Sequence, residues 1–251
     1  MIPTPDTSHV GKEPAYRSVY EPAEDTFALL DALEADAERI RARAPRLCVE
    51  IGCGSGVVSA FFQAVLDGEA SPSAVKRGGT SGCLVVALDQ NESALRCTAE
   101  TAARNSSRSS SSRLIEPVRS NMLSALHSRL AQKASIDVLL FNPPYVPTTD
   151  EEEAQAQSQR GIASSWAGGV LGTRLVDELV SPDSADTKGK SLLEEVLAPG
   201  GLFYLVAIAQ NNPEGLVDRL KQSSLLDAEI VLKRRAGREH LFIIRATKIG
   251  T

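Results

Sequence analysis

The chain has 251 residues, 42% hydrophobic and 24% charged, with a formal net charge of −5. That length holds one large domain or two smaller ones, and the mix is that of an ordinary water-soluble globular protein with no global attraction to nucleic acid or anionic membrane. No apolar run reaches the ~20 residues needed to span a bilayer, and the polar start "MIPTPDTSHVGKEP" lacks a signal-peptide core.

Taken in chain order, residues 1–15 read as a flexible N-terminus, mobile until something pins it. "EPAEDTFALLDALEADAERIRARAP" places Phe27, Leu30, Leu33, Ala37 and Ile40 at helical spacing, with acids early, arginines late and Pro45 as a stop. "LCVEI" reads as a short buried strand, which Gly52-Cys53-Gly54-Ser55-Gly56 turns into the helix "VVSAFFQAVL". A Gly/Ser-rich insertion near 67–82 precedes the strand "CLVVALD" and a helix over Glu92–Arg104. A second polar tract near 105–113 is followed by a strand over Leu114–Val118 and a helix over Leu123–Leu130. The strand "IDVLLF" then runs into Asn142-Pro143-Pro144-Tyr145, where two prolines end any ladder.

Downstream, helices are expected over Thr173–Val180 and Lys190–Leu197, then the strand "GLFYLVAIA" and the helix "NPEGLVDRLKQ". "AEIVLKRRAGREHLFIIRAT" reads as a final antiparallel hairpin. Seven strands alternating with helices predict one α/β domain over 16–251. Its sheet is mostly parallel, with an antiparallel C-terminal hairpin and helices on both faces.

Cys48, Cys53, Cys83 and Cys97 follow no metal-ligand or C-x-x-C spacing, and His9, His127 and His240 are far apart. The expectation is free buried thiols and no metal site, in a reducing compartment: the cytoplasm, with the nucleus as a second location.

Three features carry chemistry. Glycines that follow a strand and open a helix let a ligand approach the backbone near a helix N-terminus, although a tight turn would use them too. The G-x-G-x-G spacing departs from the dinucleotide fingerprint. Asp89 ends the second strand, where a carboxylate can hold a ribose diol or, more simply, start the next helix. Asn142 offers a carbonyl acceptor and Pro143 a free backbone carbonyl, so the pair suits both hydrogens of a planar amino group, with Tyr145 as a wall or stacking face. All lie at carboxyl ends of strands and should converge on one crevice.

"FNPPYV" with "VEIGCGSG" resembles the class I S-adenosylmethionine-dependent methyltransferases of the amino-methylating group, with their Rossmann-like fold. "VYEPAEDTFALLDALE", "GSGVVSAF", "FNPPYVPT", "WAGG" and "GLFYLV" are similar more closely to the eukaryotic HemK-type protein-glutamine methyltransferases. The resemblance covers most of the chain outside the N-terminus and the two polar tracts. It implies methylation of the glutamine amide in the Gly-Gly-Gln loop of the class-1 translation termination factor, with S-adenosylmethionine as methyl donor. Lysine on histone tails and arsenic are further acceptors attributed to that family.

Carried over, the resemblance assigns Thr26, Glu50, Gly52, Gly54, Asp89, Asn121 and Asn142 to the cofactor, and Asn142, Pro143 and Tyr145 to catalysis. Asn121 is a departure, standing where the family usually has an Asp facing the adenine amino group. The resemblance also implies a heterodimer with a small zinc-binding activator that adds to the sheet edge, and an apolar patch on the lone subunit.

Trp166-Ala167-Gly168-Gly169 reads as a packing anchor or a cap over the cleft. "DEEEAQAQSQ" reads as a solvated loop or a lid for a basic peptide, and "KRRAGRE" as a solvated turn. Two other readings stand beside this one. A nucleic-acid amino methyltransferase would act on the same conjugated amino group of adenine, but the acidic balance and lack of a spare domain oppose it. A non-catalytic methyltransferase-fold scaffold is opposed by the intact motifs.

Overall fold

A strand that is apolar on both faces needs cover on both. The computed structural model describes residues 1–68, 82–106, 114–131, 133–145, 173–181, 189–237 and 239–250, and it supplies that cover around its central strand. The elements run Glu24–Ala35 (α1), Ala37–Arg43 (α2), Leu47–Ile51 (β1), Val57–Asp67 (α3), Leu84–Asp89 (β2), Glu92–Arg104 (α4), Leu114–Arg119 (β3) and His127–Ala131 (α5). They continue with Ile136–Phe141 (β4), Arg174–Val180 (α6), Leu192–Val196 (α7), Leu197–Ile208 (β5), Pro213–Gln222 (α8), Leu226–Ala236 (β6) and Glu239–Lys248 (β7).

The strands form one sheet of order β3-β2-β1-β4-β5-β7-β6. The first five are parallel, and β7 inserts antiparallel between β5 and β6. The chain steps outward from β1 to β3 and then returns to β4 on the other side of β1. Strand order therefore reverses between β1 and β4, and a crevice opens beyond their carboxyl ends.

Successive residues of the inner strands feed two apolar layers. Cys48, Leu140 and Tyr204 pack with Leu29, Leu33 and Phe62 of α1 and α3. Val49, Leu139 and Phe203 pack with Val176, Leu193 and Leu216 of α6, α7 and α8. Each such fully buried Leu or Phe contributes roughly 1.5–3 kcal/mol, which fixes the strand ends as a rigid frame for the crevice.

Three elements differ from the sequence expectation. The first helix breaks at Asp36, whose φ of −92° and ψ of 9° interrupt the turn. Its carboxylate accepts from the Tyr204 hydroxyl at 2.7 Å and from Arg245, so a contact across the sheet decides the break. The expected helix over Leu123–Leu130 is helical only from His127, after turns that place Met122 at φ 47° and bury Leu123. β5 starts four residues early because Leu197 already pairs with Ile136, ahead of a register shift. Gly201 permits this, since a Cβ there would lie 2.7 Å from the Ala198 carbonyl oxygen.

The N-terminal segment is pinned. His9, Val10, Tyr16 and Val19 are buried, and Val10, Tyr16 and Val19 pack with Ala94 and Cys97 of α4. The Tyr16 hydroxyl donates to Glu100 at 2.7 Å, and Asn91 donates to the Ser18 carbonyl at 2.9 Å. All four cysteines are free and buried; burial pushes the Cys83 and Cys97 thiols up to about 12. Among the described residues, no helix is long and apolar enough to cross a membrane. The Trp166 motif, the acidic run at 150–159, Arg238 of the hairpin turn, and residues 69–81 and 107–113 of the two polar tracts lie outside the described residues.

Candidate active site

The glycine loop leaves β1 with the Gly52 and Cys53 amides both donating to the Leu88 carbonyl, at 2.8 and 2.9 Å, which ties the loop to the end of β2. Gly54 has φ 50°, and a Cβ there would meet nothing within 4 Å, so the residue leaves open space at the loop crest. Gly56 has φ 77°, and its Cβ would fall 2.7 Å from Thr98 Cα; this glycine lets α3 and α4 approach.

Asp89 sits at the end of β2, as the sequence placed it. Its two carboxylate oxygens accept from the Gly54 amide at 3.1 Å and the Asn91 amide at 2.8 Å. Burial raises its pKa, and those amides oppose the rise. The helix-starting role falls instead to Asn91, whose side chain accepts from the Ser93 amide at 2.9 Å. Glu50 is buried one residue before the end of β1; burial pushes it up to about 8, against a hydrogen bond from Ser59.

At the end of β4, the Asn142 side-chain amide donates from Nδ2 to Asp25 at 2.9 Å. Its Oδ1 is buried and has no hydrogen-bond partner among the described residues. An unpartnered buried carbonyl costs about 1–3 kcal/mol, which a bound N–H would recover. The Tyr145 hydroxyl also donates to Asp25, at 2.9 Å, and its backbone carbonyl accepts from Asn211 at 2.9 Å, which fixes the segment after the two prolines. Burial raises the Tyr145 hydroxyl far above its ordinary pKa, so it stays a donor.

These groups meet in one cavity of about 440 Å³, within the range of small-ligand sites. Thr26, Glu50, Gly52, Gly54, Asp89, Asn121, Asn142, Pro143 and Tyr145 all line it, so the structure brings together every site residue picked from the sequence. The Thr26 hydroxyl is partly engaged locally, donating to Asp25 at 3.2 Å. The Asn121 side-chain Oδ1 accepts from Gln90 Nε2 at 2.9 Å and retains a second lone pair for a ligand. Sequence reasoning missed Asp25, Tyr20 and Asn211. Asp25 stands beside Thr26 in "EPAEDT", but an acid in the first turn of a helix is ordinarily a solvated complement to its dipole.

A nucleoside bearing a sulfonium fits this donor set. The Asp89 carboxylate suits a ribose diol and favours a cation nearby, and the open crest at Gly54 admits close approach. Among the described residues the one cationic side chain on the walls is Arg174, which donates to Glu178 at 2.9 Å.

No family model matches the chain. It is 39% identical over 247 residues to the mouse protein named Methyltransferase HEMK2, covering 98% of this chain and 97% of that protein. It is 37% identical to the Schizosaccharomyces pombe protein named eRF1 methyltransferase catalytic subunit mtq2, covering 100% and 97%. The chain belongs to the HEMK2/Mtq2 family of methyltransferases. Among solved structures, it is similar to the E. cuniculi Mtq2–Trm112 complex, described as responsible for methylation of the eRF1 translation termination factor. The TM-score is 0.57 at 25% identity, covering 92% of this chain and 99% of that one. As a member of this family it is an enzyme that uses S-adenosylmethionine, and the scaffold reading gives way.

Proposed function

We propose that this chain is the catalytic subunit of a protein methyltransferase acting on the side-chain amide of the glutamine in the Gly-Gly-Gln loop of the class-1 translation termination factor. The observation that carries the reading is the buried Oδ1 of Asn142 at the β4 end of the cavity, unpartnered among the described residues. The activity for which the Mtq2 relatives are named supports the choice of substrate over a nucleic-acid base.

An amide nitrogen is a poor nucleophile because its lone pair is delocalised into the carbonyl. Asn142 Oδ1 and the Pro143 carbonyl would accept its two N–H bonds, hold the nitrogen against the cavity, and favour the pyramidal geometry in which the lone pair points outward. Tyr145 and Tyr20 would wall the acceptor. Glu50, Gly52, Gly54 and Asp89 would hold the cofactor, with Thr26 and Asn121 beside them. When bound, S-adenosylmethionine supplies a methyl on a positively charged sulfur that leaves as a neutral thioether. Positioning, rather than a strongly basic side chain, would carry the rate, and the amide proton would leave to water.

A small activator, as in the Mtq2–Trm112 complex, would complete the enzyme. The free edge of the parallel sheet is β3, where Leu114 is 49% exposed, and an added strand would satisfy its open backbone groups. The zinc attributed to such activators would belong to that partner. The complex would act in the cytoplasm, with the nucleus as a second site.

The test is methyl transfer from labelled S-adenosylmethionine by the co-expressed complex to a termination factor, a histone tail and an adenine-containing oligonucleotide. Label on the termination factor that is lost in Asn142→Ala supports the reading. Label confined to the histone lysine or the oligonucleotide would overturn it.

A further inference from the structure

The hydrogen-bond set around Asn142 depends on a residue that sequence reasoning passed over. Asp25, in the first turn of α1, is only 3% exposed. Its Oδ1 accepts from the Thr26 amide at 2.6 Å and the Thr26 hydroxyl at 3.2 Å. Its Oδ2 accepts from Asn142 Nδ2 and from the Tyr145 hydroxyl, each at 2.9 Å. The Tyr20 hydroxyl lies at 3.3 and 3.4 Å from the two oxygens. One carboxylate therefore gathers four side chains that line the cavity, drawn from the N-terminal segment, the first turn of α1 and the end of β4.

The chemistry of the pair decides which way Asn142 faces. An ionised carboxylate only accepts, and a side-chain amide has one donating and one accepting end. Turning the Asn142 amide over would set its Oδ1 against the Asp25 carboxylate, two acceptors with no proton between them. Nδ2 must face Asp25, and Oδ1 is left on the other side, buried and without a partner among the described residues. With Asp25 replaced by asparagine, one of its two faces becomes a donor. It can then no longer accept from both the Thr26 amide and the Asn142–Tyr145 pair.

We propose that Asp25 is the positioning residue of the methyl-transfer site, fixing through the Asn142 Nδ2 and Tyr145 hydroxyl hydrogen bonds which end of the Asn142 amide meets the acceptor. This rests on the reading of Asn142 given under Proposed function. In this role Asp25 acts by orientation, and misplacing an acceptor by about 1 Å costs about 100-fold in turnover.

The experiment uses the catalytic subunit with its co-expressed activator. It measures kcat and KM for the acceptor, donor affinity by calorimetry, and the Asn142 side-chain amide signals by NMR. The variants are Asp25→Asn, Asn142→Asp, the double exchange of both, Tyr145→Phe, and Asp31→Asn as an exposed control on the same helix. Asp25→Asn is expected to lose about 100-fold in kcat, with donor affinity and acceptor KM within about threefold of the wild type. Asn142→Asp sets two carboxylates together and is expected to lose at least as much. The double exchange restores one donor facing one acceptor, so it should exceed Asn142→Asp alone, a coupling that a merely structural role would not produce.

If Asp25→Asn turns over within about threefold of the wild type, the proposal is overturned. The same holds if the two single losses simply multiply in the double variant. Tyr145→Phe removes one donor without removing the carboxylate, so it reports on the hub should Asp25→Asn fail to fold; wild-type turnover in that variant would also count against the proposal. If the wild type transfers no methyl to glutamine, the substrate reading fails instead, and the Asn142 amide protons still decide the matter of Asp25. A downfield, exchange-protected pair that is lost in Asp25→Asn supports it, and a pair indifferent to the substitution overturns it.

Discussion

Gly54 and Gly56, two residues apart, give a paired test of how the loop after β1 is built. Replacing Gly56 by alanine imposes a side chain at φ 77° and puts its Cβ 2.7 Å from Thr98 Cα, a backbone atom that cannot swing aside. The left-handed backbone costs about 1–2 kcal/mol and the forced separation of α3 from α4 about 1–3 kcal/mol more. A total near 3 kcal/mol lowers the melting temperature of a domain this size by roughly 6–12 °C. Gly54→Ala meets no atom within 4 Å at φ 50°, so only the backbone cost of about 1–2 kcal/mol applies, or roughly 2–8 °C. Its methyl, however, stands at the crest of the loop that lines the cavity. Scanning calorimetry and titration with S-adenosylmethionine should therefore separate the two: Gly56→Ala is the more damaging to stability, and Gly54→Ala the more damaging to cofactor affinity for the same loss of stability. Equal melting temperatures, or undiminished affinity in Gly54→Ala, would refute the reasoning.

Other expectations follow from single contacts. Tyr204→Phe removes a buried donor to Asp36 and should cost about 1.5–3 kcal/mol, read as a lower melting temperature with methyl transfer retained. Glu50 is held up to about 8 by burial, so the folded protein binds more protons than the unfolded chain between an ordinary carboxylate pKa and that value. Stability of the cofactor-free protein should therefore fall as pH rises across that window and level off above it. Glu50→Gln should flatten that part of the pH profile, and an unchanged slope would place its cause elsewhere. Leu114→Lys on the exposed edge of β3 should weaken activator binding by about 10–100-fold, by loss of roughly 1.5–3 kcal/mol of apolar burial, measured by calorimetry. Unaltered affinity would move the activator off that edge.

The parts of the fold legible in sequence were those set by local pattern. β1 and α4 begin and end where the apolar spacing and the flanking residues put them, and the chain order of strands and helices specifies the parallel sheet. The break at Asp36 was not legible, because its partners Tyr204 and Arg245 are far along the chain. The early start of β5 hides behind Pro199 and two glycines, which read as a turn until Ile136 pairs with Leu197. The site divides the same way. Asn142, Asp89 and the glycine loop announce themselves by unusual residues at strand ends. Asp25 does not, since its contacts lie 117 and 120 residues away and only the folded sheet brings them together.

The most direct test of the central claim is tandem mass spectrometry of the termination factor after reaction with the activator-bound enzyme and S-adenosylmethionine. The account predicts one added methyl on the side-chain nitrogen of the Gly-Gly-Gln glutamine, absent when Asn142→Ala replaces the wild type. A methyl carried elsewhere on the factor, or on the same glutamine at an undiminished rate with Asn142→Ala, would contradict it.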